Sequence, residues 1–198
     1  MSTTPTDAAE ARPRRRSERA RVAILQATND LLHENGLDQF SIEAVAARAG
    51  VGKQTIYRWW PHRAILVADA LLDRDNVDPV PPADTGDAQA DLSKWAGDLA
   101  ASLGSPRGAA TLRMLTAAAI EDPETSRRLH EKFSGPLQEL ATARLAAAPE
   151  LPTTPAQRRN AVDAIIGFMV FRVQAHQDLT RRGATEMART VLRGLRTD

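Results

Sequence analysis

From Phe40 to Pro61 the chain reads FSIEAVAARAGVGKQTIYRWWP, two short amphipathic segments hinged on Gly50-Val51-Gly52, and this spacing confines the local fold to a tight corner between helices. Ser41 offers a hydroxyl to the free N–H groups at the start of the first segment, with Phe40 before it as a hydrophobic staple. Ile42, Val45, Ala46 and Ala49 then recur at helical spacing, and Gly50 ends the stripe because it reaches the left-handed conformation without strain. Val51 is the apolar residue of the turn, Gly52 opens the second segment, and Ile56 with Trp60 forms its inward face at i and i+4. Pro61 disfavours the helical conformation of the residue before it and closes the segment.

The outward face of the second segment carries Lys53, Gln54, Thr55, Tyr57 and Arg58, with no carboxylate anywhere from Gly52 to Arg63. An α-helix fits the major groove of DNA, where Lys and Gln bond base edges and Thr meets the thymine methyl, while Tyr and Arg suit phosphate oxygens. A plain helical hairpin from a bundle is the alternative, and it does not require so many donors on one face. Charge points the same way. Arg12 to Arg63 carries ten basic and five acidic side chains, whereas Ala64 onward carries sixteen basic and eighteen acidic, so the formal net charge of +1 hides a basic reading segment. Phosphate neutralisation requires that kind of excess.

Over the rest of the chain the periodicity is helical and no alternating strand pattern occurs, which predicts an all-α fold of about nine helices. Residues 1–16 lack periodicity, end in Arg12, Arg14, Arg15 and Arg16, and read as a disordered basic arm that suits a minor groove as well as it suits a solvated tail. A helix from Ser17 to Asn35-Gly36 supports the corner, so residues 17–63 form the expected helix-turn-helix domain. Residues 64–198 form the expected second domain, with residues 64–75 as a connecting helix. Ser105-Pro106, Asp122-Pro123 and Thr154-Pro155-Ala156-Gln157 are helix starts, the last a capping box, and Gly135-Pro136 must bend or split the helix it interrupts. The chain has no cysteine, and His33, His62, His130 and His176 lack ligand spacing, so no metal or other cofactor is expected. The start of the chain has no secretory core and no apolar run is long enough to span a bilayer, which predicts a cytoplasmic protein without membrane partners.

The helix from Ala161 to Ala175 is apolar on two stripes: Val162, Ile165, Ile166, Met169 and Val173 on one, Ala161, Ala164, Phe168, Phe171 and Ala175 on the other. A helix apolar over more than half its surface is buried over more than half of it. Either its own chain encloses it, or a second copy covers one stripe. On the second reading Val162, Ile165, Ile166, Met169 and Val173 join Met187, Val191 and Leu195 of the last helix, Thr185 to Leu195, in a four-helix dimer interface.

The pattern F-S-x-x-x-V-A-x-x-A-G-V-G-x-x-T-x-Y-R-W-W-P, within a module from about Ala20 to Leu72, resembles the TetR/AcrR family of bacterial transcriptional regulators. The remainder, with G-F-M-V-F-R at Gly167 to Arg172, is similar in architecture to that family's ligand-binding and dimerisation domain. The resemblance implies a recognition helix from about Lys53 to Trp60, with Lys53, Gln54 and Thr55 reading bases and Ser41, Tyr57, His62 and Arg63 near phosphates. Trp59 takes a groove-lining position, and Trp60 suits packing between the third and fourth helices. Gly52 stands where the family more often has a serine cap.

The resemblance implies a homodimeric repressor that binds a palindromic double-stranded DNA operator and leaves it when a small-molecule effector binds among the C-terminal helices. Trp95, Met114, Phe133, Phe168 and Phe171 are candidate walls of the effector pocket, with Arg113, His130 and His176 as polar anchors. An enzyme is not expected, since no phosphate loop, nucleophile motif or metal cluster is present. The alternative is a ligand-independent architectural DNA-binding protein.

Overall fold

A computed structural model describes residues 6–37, 39–73 and 79–195, with side chains from Ser17 onward. Among the described residues the regular structure is helical throughout. The chain divides into two compact units, Met1–Arg74 and Asp75–Asp198.

The first unit contains α1 (Thr6–Asn35), α2 (Ile42–Ala49), α3 (Lys53–Trp59) and α4 (Arg63–Leu72). Helix α1 starts eleven residues before the expected Ser17, through the stretch read as an irregular arm. Ala8, Ala9, Glu10 and Ala11 are strong helix formers, and a helix already nucleated propagates at little cost. Residues 1–5 of the arm, and the side chains of Arg12, Arg14, Arg15 and Arg16, lie outside the described residues.

Ile24, Leu25, Ala27, Leu31 and Leu32 bury the inner face of α1, which packs on α2 and α4. Leu66, Val67, Ala68, Ala70 and Leu72 of α4 are wholly buried, so this helix completes the first core rather than standing outside it as a connector. The boundary expected after residue 63 therefore moves one helix later, because an apolar face that wide needs the α1 surface to cover it.

The second unit contains α5 (Ala88–Leu103), α6 (Pro106–Glu121), α7 (Pro123–Leu129), a π-helical turn (His130–Ser134), α8 (Gly135–Ala146), α9 (Pro155–Gln174) and α10 (Arg181–Arg193). Local chemistry sets most of these boundaries. Ser105, Asp122 and Thr154 accept the backbone N–H of Gly108, Thr125 and Gln157 respectively, and Thr154 and Gln157 complete the capping box. Before Pro136 the backbone widens so that the Gly135 N–H reaches the His130 carbonyl, five residues back. The interruption expected at Gly135-Pro136 is thus absorbed as a π turn, a common way to relieve a strained helical ladder. Helix α10 starts at Arg181, four residues before the expected Thr185, because Thr180 caps it through the Gly183 N–H at 3.1 Å.

The second core gathers Leu92, Trp95, Ala96 and Ala100 of α5, Ala141 and Leu145 of α8, one face of α9, and Ala184, Ala188 and Leu192 of α10. Helices α5 and α10 approach closely at Gly97, where a β-carbon would press into the Thr185 hydroxyl and lie 3.2 Å from the Arg181 carbonyl. Inside the unit, Asp91 forms a buried pair with Arg144, whose Nη2 and Nε lie 2.8 and 3.1 Å from its Oδ2. Burial pushes the Asp91 carboxyl up, but the Thr85 N–H and hydroxyl and the Arg144 guanidinium outweigh it and hold it below the ordinary carboxylate range. Arg144 also donates to the Ala83 carbonyl, so the pair fastens residues 83–85 to the helices.

Val162, Ile165, Met169 and Val173 are each no more than 2% exposed in a single chain. Within one chain they are core of the C-terminal unit, which leaves little of these side chains for a second copy to cover. Each such side chain contributes about 1.5–3 kcal/mol by leaving water, an energy already realised inside one copy. Ile166, Val191 and Leu195 are half-buried against the same core, and Met187 is half-buried. The other stripe divides: Ala161 is buried and Phe168 is half-buried against the same core, while Ala164 and Ala175 are exposed and Phe171 is 63% exposed.

Candidate nucleic-acid interface

The corner is assembled by backbone chemistry. Ser41 is extended and its Oγ accepts the Ala44 N–H at 3.1 Å; Gly50 is left-handed at φ 66°, and the Val51 N–H returns to the Ala46 carbonyl at 3.0 Å. Helix α3 follows at once, with Gly52 as its N-cap and no side-chain cap, as glycine requires.

Two inward residues hold α3 from behind. Ile56 is fully buried, and Trp60 is 3% exposed with its indole N–H donating to Asp69 Oδ2 at 2.9 Å. Asp69, itself buried on α4, also accepts Arg21 Nη2 of α1 at 3.1 Å, so one carboxylate ties α1, α4 and the end of α3. Neither Asp69 nor Arg21 was singled out from the sequence. The available signal was a carboxylate inside the apolar run ILVADALL, where burial without a partner is costly.

With its back fixed, α3 turns Lys53, Gln54, Tyr57 and Arg58 to solvent, with Thr55 half-buried beside them. Tyr57 is 49% and Trp59 39% exposed, large values for aromatic side chains, and the Trp59 ring stands tilted 6.3 Å from that of Trp60. Lys53 Nζ donates to Glu43 Oε1 of α2 at 2.9 Å, which raises the lysine pKa and lowers that of the glutamate. His62 and Arg63 are exposed at the start of α4. Part of the Arg63 guanidinium is already engaged, donating to the Leu37 carbonyl at 2.7 Å and lying 5.3 Å from the centre of the Phe40 ring. Ser41, Lys53, Gln54, Thr55, Tyr57, Arg58, Trp59, His62 and Arg63 thus all belong to the corner and its flanks.

The residues expected to wall an effector pocket have varied surroundings. Trp95 is core, its indole N–H donating to the Val80 carbonyl at 3.0 Å; Met114, Phe133 and Phe168 are half-buried, and Phe171 faces solvent. A cleft of about 510 Å³ on α8 and α9 is lined by His130, Gln138, Glu139, Arg158 and Asp163 among others, and by none of those five. A second, of about 350 Å³, brings together Arg113 and His176 with Gln177, Asp178 and Thr180. Aromatic and apolar residues at helical spacing mostly fill a core, which the sequence pattern does not distinguish from a cavity wall.

Residues 24–70 match the model of the bacterial regulatory proteins of the tetR family, and residues 82–191 match the tetracyclin repressor-like C-terminal domain. The chain belongs to the TetR family. Among curated proteins this TetR-family chain is similar to the HTH-type transcriptional regulator YdeS of Bacillus subtilis strain 168, 36% identical over 111 residues, which are 56% of each chain. It therefore spans little more than half the length of that relative. Among solved structures it is similar to the TetR family transcription regulator SCO0332, with a TM-score of 0.57 and 27% identity over 88% of this chain and 97% of the other. The multidrug binding protein EbrR, solved with proflavin, shares the fold at a TM-score of 0.58 and 20% identity over 87% of this chain and 99% of the other.

Proposed function

We propose that this TetR-family chain is a DNA-binding transcriptional regulator rather than an enzyme, acting in the cytoplasm as a homodimeric repressor at a palindromic operator and released by a small-molecule effector. The observation that carries the reading is the division of α3: Ile56 and Trp60 are buried and tied to α4, and Lys53, Gln54, Tyr57 and Arg58 are presented on the opposite side. A two-fold dimer would set two such helices in successive major grooves about 34–36 Å apart. The outward positions of α9, Ala164, Gly167 and Phe171, support self-association, because an exposed apolar patch on a helix already buried on its other side marks a surface that another molecule can cover. The cleft with Arg113, His176 and Asp178 is a candidate place for an effector bearing polar groups. Binding there weakens DNA binding only by its differential affinity for the two dimer conformations.

The test is footprinting on the DNA upstream of the protein's own gene, followed by two substitutions. Tyr57→Phe should weaken binding to all sequences alike, whereas Gln54→Ala should cost about 1–3 kcal/mol at one base position and relax the preference there. A palindromic footprint supports the regulator; broad protection without sequence preference would favour the architectural DNA binder instead. Equal effects of the two substitutions on specificity would overturn the roles given to them.

A further inference from the structure

Three buried side chains of the C-terminal unit spend their polar groups on the chain that leads into it. From Val80 to Asp87 every residue except Pro82 is exposed, so this stretch before α5 brings little to the core. It is nevertheless held along its length. The Trp95 indole N–H donates to the Val80 carbonyl and Arg144 Nε to the Ala83 carbonyl, both at 3.0 Å. The Thr85 N–H and hydroxyl donate to the Asp91 carboxylate at 3.0 and 2.7 Å. Trp95, Asp91 and Arg144 are each no more than 7% exposed, and hydrogen bonds to ionised groups that water does not reach are among the strong ones. Pro79, Pro81 and Pro82 fix φ at their own positions, so a segment fastened at Val80, Ala83 and Thr85 keeps little freedom. Stability alone does not call for this arrangement. A buried Asp–Arg pair is costly to desolvate, and apolar residues of similar volume often hold a core as well or better.

We propose that Asp91, Arg144 and Trp95 are positioning residues for operator reading, which clasp the segment joining the two units and thereby restrict the half-site spacing that a dimer accepts. The inference rests on the reading given above, a homodimer at a palindromic operator. Helix α4 ends at Leu72 and α5 starts at Ala88. With the clasp closed, the chain left to join the units runs from Asp73 to Pro79; with it open, from Asp73 to Asp87. A tether about twice as long spreads the attached reading head over a larger volume. Its effective concentration at the matching half-site falls, and mismatched spacings come within reach. The three side chains act through the length of that tether and not by touching DNA.

The experiment uses the full chain and palindromic duplexes built on the half-site that footprinting defines, with the centre shortened or lengthened by one and two base pairs. A single half-site is the reference. The variants are Trp95→Phe, the pair Asp91→Leu with Arg144→Met, all three together, and an otherwise wild-type chain with a Gly-Ser insertion as long as residues 80–87 placed between Arg74 and Asp75. The wild type should bind one spacing best. Opening the clasp with all three substitutions should lower affinity at that spacing by about threefold, the loss expected when a flexible tether doubles in length. Half-site affinity should stay the same and the other spacings should lose less, which flattens the profile. The insertion should flatten it equally with the clasp intact. An unchanged profile in the folded triple variant overturns the proposal. A uniform loss at every spacing and at the half-site also overturns it, since the three side chains would then serve stability alone. So does a profile that the insertion leaves sharp, and the insertion decides by itself if a clasp variant does not fold. A wild type without a preferred spacing overturns it too. A wild type that binds no duplex, or binds only as a monomer, overturns the dimeric DNA-binding reading and the proposal with it.

Discussion

Trp59 and Trp60 stand side by side on the end of α3, and one faces solvent while the other is buried against Asp69. The i, i+4 relation of Ile56 and Trp60 already places Trp60 inward in the sequence, and helical geometry then turns Trp59 away. What the sequence does not carry is the acceptor. Asp69 lies on a different helix, and only packing brings it within 2.9 Å of the indole nitrogen and 3.1 Å of Arg21. Trp60→Phe keeps an aromatic ring but removes the donor, leaving a buried carboxylate with one bond fewer. It should destabilise the first unit by about 1–3 kcal/mol, seen as a lower denaturant midpoint with an unchanged slope. Affinity for the proposed operator should fall with it, although Trp60 is itself only 3% exposed. An unchanged midpoint would show that the Asp69 bond is not holding α3 to α4.

Several helix starts are legible where the deciding groups are neighbours in sequence, although the equally local Thr180 cap of α10 was missed. Ser41, Ser105, Asp122 and Thr154 each bond a backbone N–H three residues on, so the motif and its effect lie within one turn. Gly97 shows the opposite case. In the sequence it is a glycine inside a helical run; in the structure it is the point at which α10 lies against α5, with Thr185 and Arg181 over it. An alanine in a helix interior is ordinarily favoured over glycine by roughly 1 kcal/mol. Gly97→Ala should nonetheless lower the thermal stability of the C-terminal unit by about 1–3 kcal/mol, the usual cost of overpacking. A rise in melting temperature would mean that α10 yields readily and that the close approach is not needed.

At the scale of the whole molecule, the two stripes of α9 have separate fates. Val162, Ile165, Met169 and Val173 face their own core, and Phe171 with its neighbours faces out. If the proposed dimer uses the outward stripe, Phe171→Glu should yield a monomer by sedimentation with its helical content intact, and should weaken binding to a palindromic duplex far more than to a single half-site. Ile165→Ala should do the reverse, costing about 2–5 kcal/mol of stability without acting on association directly. A dimer that survives Phe171→Glu would remove this face from the interface.

The sequence by itself determined the helical class, most helix starts, the corner from Ser41 to Pro61 and the family, because periodicity, caps and left-handed glycines act over a turn or two of chain. It also limited α9 to the two fates of core or contact. Tertiary structure decided which stripe became core, drew α4 into the first unit, converged Trp60 and Arg21 on Asp69, and set Glu43 against Lys53. Each of these depends on which surfaces of separate helices meet. A single helix's periodicity fixes the face it must bury but not the partner that buries it.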